Sequence, residues 1–203
     1  MPEAGEKVTL RYYLQRARDA MLWKLEGLGE YDVRRPLVPT GTNLLGLVKH
    51  LAAVEAGYFG EVFGRPLSEP LPWAGVEDDP TVDLWASPDE SREDLVGCYR
   101  RVWAHADRTI DELDLTDTGL VPWWPEERRR PTLHRVLVAV VAETHRHAGH
   151  ADIVRELIDG SAGLGAAYSN LPHQDAAWWR AYRDRVEAAA REAARLGGAD
   201  PAG

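Results

Sequence analysis

The stretch from Leu133 to Asp159 constrains the fold most, because its apolar residues recur at spacings of three, four or seven. Such spacing places them on one face of an α-helix with about 3.6 residues per turn. The members of that face are Leu133, Val136, Val140, Glu143, His147, Val154 and Ile158. The pattern predicts a long unbroken helix that Thr132 caps and Gly160 ends, with a carboxylate and an imidazole inside an aliphatic stripe.

These two polar residues need a partner, because burying a carboxylate or an imidazole without compensation is costly. Glu143 and His147 are four residues apart, so they project from adjacent turns, and His150 lies in the same sector. His145 points to roughly the opposite side of the helix. A metal ion is one partner that would satisfy Glu143 and His147. An ordinary hydrogen-bonded pair of the two side chains is the other.

The rest of the chain favours helices joined by loops rich in proline. Further predicted helices span residues 6–28, 42–63, 87–113 and about 174–197, with 31–41 as a loop. We expect an all-α protein, a four-helix bundle with long crossover loops and an extra C-terminal helix. The bundle would cover about 6–160 of a single domain, 1–203. Trp178 and Tyr182 lie on one apolar face of the last helix and predict that it docks.

The charge of the chain limits its partners. A formal net charge of −9 argues against binding to nucleic acids or anionic membranes, which favour a basic face. The single cysteine, Cys98, permits no disulfide within the chain, and no apolar run approaches the length of a membrane span. We therefore expect a cytoplasmic protein with a small-molecule substrate and no nucleic-acid or membrane partner.

The segment 65–86 is a long crossover rich in proline, acidic residues and tryptophan. A segment of this length without periodicity often packs over a site as a lid. Alternatively, it covers an edge of the bundle with Trp73 and Trp85. The sequence leaves both interpretations open.

His50 gives the predicted polar stripe a third member. It lies on the apolar face of the helix 42–63, between Leu47 and Val54. If that face meets Glu143 and His147, two imidazoles and a carboxylate suffice for a divalent transition metal with positions left open. In H-E-x-x-H zinc sites, two ligands on one helix are likewise four residues apart. His50 could instead be a core residue with its own hydrogen-bond partner.

Two short motifs carry a resemblance to a known superfamily. They are Leu47-Val48-Lys49-His50-Leu51 and Glu143-x-x-x-His147-Ala148-Gly149-His150-Ala151-Asp152. Together they resemble the DinB/YfiT-like superfamily of bacterial metal-binding four-helix bundles, which includes mycothiol-dependent maleylpyruvate isomerase and thiol transferases. The segment 175–179 resembles the uncharacterised mini-circle branch of that superfamily.

The resemblance implies that His50, Glu143 and His147 are metal ligands. It also implies that His150 and Asp152 lie next to these ligands and hold them in position. It implies zinc, with nickel or iron as alternatives, a low-molecular-weight thiol such as mycothiol, and a homodimer. A bound metal would activate the thiol or a water for S-transfer, isomerisation or hydrolysis of a small electrophile. The competing hypotheses are a non-catalytic metal-binding bundle with a structural or stress-related role, and oxygen chemistry at a 2-His-1-carboxylate iron. No general acid or base can be assigned from the sequence.

Overall fold

The computed structural model describes residues 5–76 and 79–197, and the regular elements of these residues are all helical. Six α-helices are present in this part of the chain: α1 Glu6–Trp23, α2 Glu30–Arg34, α3 Leu44–Glu55, α4 Arg92–Glu112, α5 Leu133–Asp159 and α6 Ala176–Leu196. Within the same residues, the β-structure consists of one isolated bridge between Thr118 and Thr132. The predicted all-α class is confirmed. None of the described helices is long and apolar enough to cross a membrane.

The long helix α5 is continuous from Leu133 to Asp159, as its stripe predicts. Its N-cap is Thr132, whose hydroxyl accepts a hydrogen bond from the backbone N–H of Arg135 at 3.3 Å. Gly160 ends it in the left-handed conformation, with φ of 81°. Helix α1 packs against α5, α3 packs against α4, and α3 also contacts α5. The α3–α5 contact brings the two polar stripes together.

The chain divides into two compact units, Met1–Ser169 and Asn170–Gly203. In the second unit, the side chain of Asp175 caps α6 by accepting from the backbone N–H of Trp178 at 2.8 Å. The rings of Trp178 and Tyr182 stack with centroids 5.5 Å apart. No residue of α6 is buried, and its docking on a bundle stays a prediction.

Two predicted boundaries of the first helical region are wrong. Helix α1 ends at Trp23 rather than near Leu28, because backbone carbonyls after Trp23 accept hydrogen bonds from the side chain of Arg155. Arg155 donates to the carbonyl oxygens of Lys24 and Glu26, at 2.9 Å each. The segment expected to be a loop from residue 31 also contains the short helix α2, Glu30–Arg34.

The third long helix begins later than predicted. Helix α4 starts at Arg92 with Ser91 as its N-cap, and not at Ser87. The Glu90 carboxylate does accept from the backbone N–H of Ser87 at 2.8 Å, as a capping box would require. It also binds the buried ammonium of Lys49 on α3, at 2.7 Å. Residues 87–90 therefore form a turn anchored on α3 instead of the first turn of α4.

Helix α3 is shorter than the predicted helix and changes its hydrogen-bond pattern after Glu55. A π-helical turn, Ala56–Gly60, and a 3₁₀ turn, Glu61–Phe63, carry the chain to Gly64. The carboxylate of Glu55 is fully buried and pairs with Arg18 of α1, whose Nε lies 3.0 and 3.1 Å from its two oxygens. π-Helical turns occur frequently at functional sites, and this one begins six residues after His50.

Candidate metal centre

Helices α3 and α5 bring His50, Glu143 and His147 together. Each of these side chains offers one ligand atom, and the three atoms lie within 4.8 Å of one another. The three side chains converge because Glu143 and His147 are one turn apart on α5 and His50 lies on α3, which packs against α5. The three residues predicted as one site are therefore neighbours in the fold.

Both imidazoles direct Nε2 at the Glu143 carboxylate. Nε2 of His147 lies 2.9 Å from Oε1 of Glu143, and Nε2 of His50 lies 3.9 Å from the same oxygen. The two rings meet edge to face with centroids 5.0 Å apart. Ligands held about 2.0–2.2 Å from a zinc ion are about 3–4 Å apart. The separations of 2.9 and 3.9 Å from Glu143 are close to that range.

Asp83 is a residue of this site that the sequence analysis did not identify. Nδ1 of His50 donates to Oδ2 of Asp83 at 2.8 Å, so Nε2 of the neutral ring keeps a free lone pair. A carboxylate that accepts from the second nitrogen of a histidine ligand is the usual means of fixing its tautomer and orientation. In the sequence, only the acidic composition of the segment 65–86 indicated that this segment could supply a carboxylate.

Gly46 explains how the loop reaches His50. A Cβ atom at this position would lie 2.0 Å from the backbone oxygen of Leu84, so only glycine permits the loop to pack here. Asn43, the N-cap of α3, also donates its side-chain amide to that oxygen at 3.1 Å. Gly46 is one turn before His50 on α3, and Leu84 follows Asp83. The crossover therefore packs on α3 and contributes a side chain to the site.

The other predicted site residues have different surroundings. His150 contacts His147, with their Nδ1 atoms 3.3 Å apart, as a supporting residue would. Asp152 accepts from the backbone N–H of Gly163 at 2.6 Å and pairs with the buried Lys24, away from the three convergent side chains. Nδ1 of His145 donates to the backbone oxygen of Val141 at 2.9 Å. His145 thus takes no part in the cluster, as predicted.

The surroundings favour the neutral form of His147. Burial is the main cause that lowers the pKa of His147, and the Glu143 carboxylate opposes it in part. The His147 side chain is 14% exposed, against 22% for His50 and 34% for Glu143. A neutral imidazole is the form that binds a metal ion. His147 is therefore held in its neutral form, in a site that is most exposed to solvent on the side of Glu143.

A model of the mycothiol-S-transferase (MST) family matches residues 9–160, which run from within α1 to the end of α5 and include every residue of the cluster. The chain therefore belongs to the mycothiol-S-transferase family, within the DinB/YfiT-like superfamily that its two motifs resemble. Membership suggests a thiol S-transferase-like role, with mycothiol as the thiol. No curated protein matches the chain. The assignment to the mini-circle branch stays a prediction.

Proposed function

We propose that the protein is a metal-dependent thiol S-transferase whose metal ligands are His50, Glu143 and His147. The observation that carries the proposal is the convergence of these three donors within 4.8 Å, in a chain of the mycothiol-S-transferase family. Zinc is the ion we expect, because two imidazoles and a carboxylate with an open position form a common catalytic zinc site. Nickel and iron are the alternatives. The thiol would be mycothiol or a similar small thiol, and the second substrate a small electrophile.

A divalent ion in this site would lower the pKa of a thiol and favour the thiolate, which is the nucleophilic form. In S-transfer the sulfur forms a bond to the electrophilic carbon. The bond to the leaving group breaks and the group departs with the electron pair, while the thiol proton passes to solvent. Metal-activated hydrolysis or isomerisation would use the same ligands with a different second substrate.

The chain's own residues hold the donors in place. Asp83 keeps the proton of His50 on Nδ1, so that Nε2 faces the site. Nε2 of His147 lies 2.9 Å from Oε1 of Glu143, and the neutral ring would bind a metal through Nε2 with its proton on Nδ1, the nitrogen that His150 contacts. We propose that α1, α3, α4 and α5 constitute the four-helix bundle of the superfamily, which gives these side chains a rigid support.

Metal analysis combined with thiol conjugation tests the proposal. Purified protein should contain about one transition-metal ion per chain and should join mycothiol to benzyl chloride, with the conjugate quantified by mass spectrometry. Removal of the metal should abolish conjugation, and its return should restore it. Stoichiometric metal without conjugation across a set of electrophiles would favour the non-catalytic alternative. Oxygen consumption with ferrous iron would favour iron chemistry, and absence of bound metal would reject the proposal.

We also propose that the protein binds a small molecule and does not bind nucleic acid. We further propose that it forms a homodimer in the cytoplasm. The support for the first is the net charge of −9, since duplex binding depends on neutralising phosphates with basic side chains. Sub-micromolar, salt-sensitive binding to a DNA duplex would contradict it. Sedimentation as a monomer at micromolar concentration would contradict the dimer.

A further inference from the structure

A cleft of about 550 Å³ lies beside the metal centre. It runs along the π-helical end of α3, and residues of the crossover loop, Asp83 among them, line it. The same Asp83 carboxylate binds His50, so one end of the cleft is a single side chain away from the proposed metal ligands. Its volume is that of a site for a small organic molecule.

Aromatic rings form much of the wall of this cleft. Tyr58, Trp73 and Trp123 line it, and the rings of Tyr58 and Trp123 meet edge to face at 5.5 Å. The hydroxyl of Tyr58 accepts from Nε1 of Trp124 at 3.0 Å, which fixes the Tyr58 ring. Trp123 is nevertheless 54% exposed, so a large apolar surface is left for a flat ligand to cover.

The charges around the cleft are negative. Its charged lining residues, within the part of the chain that the structure describes, are Glu61 and Asp83, and no lysine or arginine is among them. The neighbouring cations are paired with other carboxylates: Lys49, whose Nζ lies 4.9 Å from the centroid of the Trp73 ring, pairs with Glu90, and Arg65 pairs with Glu112. The carboxylate of Glu61 has no hydrogen bond or ion pair to any described residue. In the metal-free protein, a ligand that carries a carboxylate or phosphate would therefore meet repulsion without a compensating partner in the cleft.

We infer that this cleft binds the second substrate and that it selects flat, uncharged or cationic aromatic molecules over anionic ones. The assignment to the second substrate rests on the proposed function, whereas the ligand class follows from the rings and the carboxylates alone. Cation–π contact with the exposed Trp123 ring and attraction to Glu61 both favour a positive charge.

Three ligands of nearly equal size test the charge preference: benzamidine, benzamide and benzoate. Their dissociation constants are measured by ligand-observed NMR on metal-free protein, because a carboxylate would otherwise be drawn to the metal. Benzamidine should bind about three times more tightly than benzamide and at least about ten times more tightly than benzoate, given the strength of partly screened charge interactions. Benzoate binding as tightly as benzamidine would overturn the inference.

Matched variants locate the binding. Trp123→Ala should weaken all three ligands at least about fivefold, as expected for loss of one aromatic contact of about 1 kcal/mol. The control Tyr31→Ala, at an exposed ring outside the cleft, should change nothing. Glu61→Gln should reduce the advantage of benzamidine over benzoate, whereas Glu156→Gln, on the exposed side of α5, should leave it intact. If neither Trp123→Ala nor Glu61→Gln changes the dissociation constants, the ligands bind outside the cleft.

Conjugation assays separate this inference from the proposed function. If the ligands bind as expected but mycothiol is never conjugated, the proposed transferase activity fails and the ligand preference of the cleft stands. If conjugation occurs but benzoate binds the metal-free protein as tightly as benzamidine, the inference fails and the transferase stands. In the expected result, Trp123→Ala raises the KM for an uncharged aromatic electrophile without changing the KM for mycothiol.

Discussion

Nδ1 of His50 lies 2.8 Å from Oδ2 of Asp83, a residue 33 positions further along the chain. This contact ties the crossover loop to α3 and leaves Nε2 of His50 facing Glu143, 3.9 Å from its Oε1 atom. One hydrogen bond therefore sets both the tautomer of the imidazole and the position of the loop over it. The same carboxylate lines the adjoining cleft, so the loop would join the proposed metal site to the proposed substrate cleft.

Asp83→Asn should weaken metal binding. An asparagine can keep a contact with Nδ1 but no longer supplies the negative charge that makes His50 a better ligand. We expect a loss of about 10–100-fold in metal affinity, the usual cost of losing such a support. Competition with a chelator of known affinity measures it. Asp89→Asn, at an exposed carboxylate of the following turn, should keep the wild-type affinity. Equal affinity of the two variants would contradict the role of Asp83.

Gly46→Ala should damage the same site from a distance. A Cβ atom there would lie 2.0 Å from the backbone oxygen of Leu84, so the loop must move away and carry Asp83 with it. Metal affinity should fall at least about as much as in Asp83→Asn. Gly149→Ala is the matched control, because that helical position on α5 has open space around it. It should stabilise the protein by about 0.5–1 kcal/mol through helix propensity.

The stripe on α5 could be predicted from the sequence because a helix fixes the spatial relation of residues three and four apart. Glu143 and His147 follow from that period alone, and His50 follows from a second stripe on α3. Asp83 could not be predicted, because a loop without periodicity gives no indication of which helix its side chains contact. The same holds for Gly46, whose role depends on the backbone of Leu84. Only the fold reveals such contacts between distant segments.

The boundaries of the helices were predicted less well than their faces, for a related reason. Glu90 satisfies the pattern of a capping box, yet its carboxylate is shared with the buried Lys49 of α3. Arg155 of α5 binds the carbonyls that follow α1, at Lys24 and Glu26. In each case a charged side chain from a distant part of the chain makes a contact that competes with the local signal. Local propensity is a weak guide where tertiary contacts compete with it.

Glu55→Ala should destabilise the fold strongly. The Glu55 carboxylate is fully buried, accepts from Nε of the buried Arg18 at 3.0 Å and also accepts from the hydroxyl of Tyr99 at 3.2 Å. Its removal leaves Arg18 buried with Asp107 as its remaining anion. We expect a loss of about 3 kcal/mol in the free energy of unfolding, measured in urea. Glu156→Ala, on the surface of α5, should change it by less than about 0.5 kcal/mol.

The double variant Arg18→Met with Glu55→Met tests the cause of that loss. Replacing both charges by apolar side chains removes the unpaired ion, so stability should recover beyond that of Glu55→Ala alone. A double variant as unstable as the sum of the two single variants would show that packing, not the unpaired charge, causes the loss.

The pH dependence of the metal-free protein should reflect His147. Burial holds the pKa of His147 below its ordinary value of 6.5, so the folded state favours the neutral ring and the unfolded state binds the proton more readily. The stabilising contribution is therefore present above pH 6.5 and is lost as the pH falls toward and below the folded-state pKa. Unfolding in urea between pH 5 and 8 should show this decline. In His147→Gln it should be smaller, and an unchanged pH profile would contradict the assignment.

The sharpest test of the metal ligands compares two histidines on the same helix. His147→Ala removes one of the three donors, so bound metal should fall from about one ion per chain to a small fraction of that. His145 is only two residues away but bonds to the backbone oxygen of Val141, so His145→Ala should retain the metal. Elemental analysis after dialysis against trace metal measures the metal content of both variants, and circular dichroism checks that both remain helical.

Because the core around α5 is built by aliphatic residues such as Val136 and Val140, neither substitution should unfold the helices. If His145→Ala loses the metal and His147→Ala keeps it, the ligands have been assigned to the wrong face of α5. If both keep it, the cluster is a hydrogen-bonded Glu–His pair and the metal lies elsewhere.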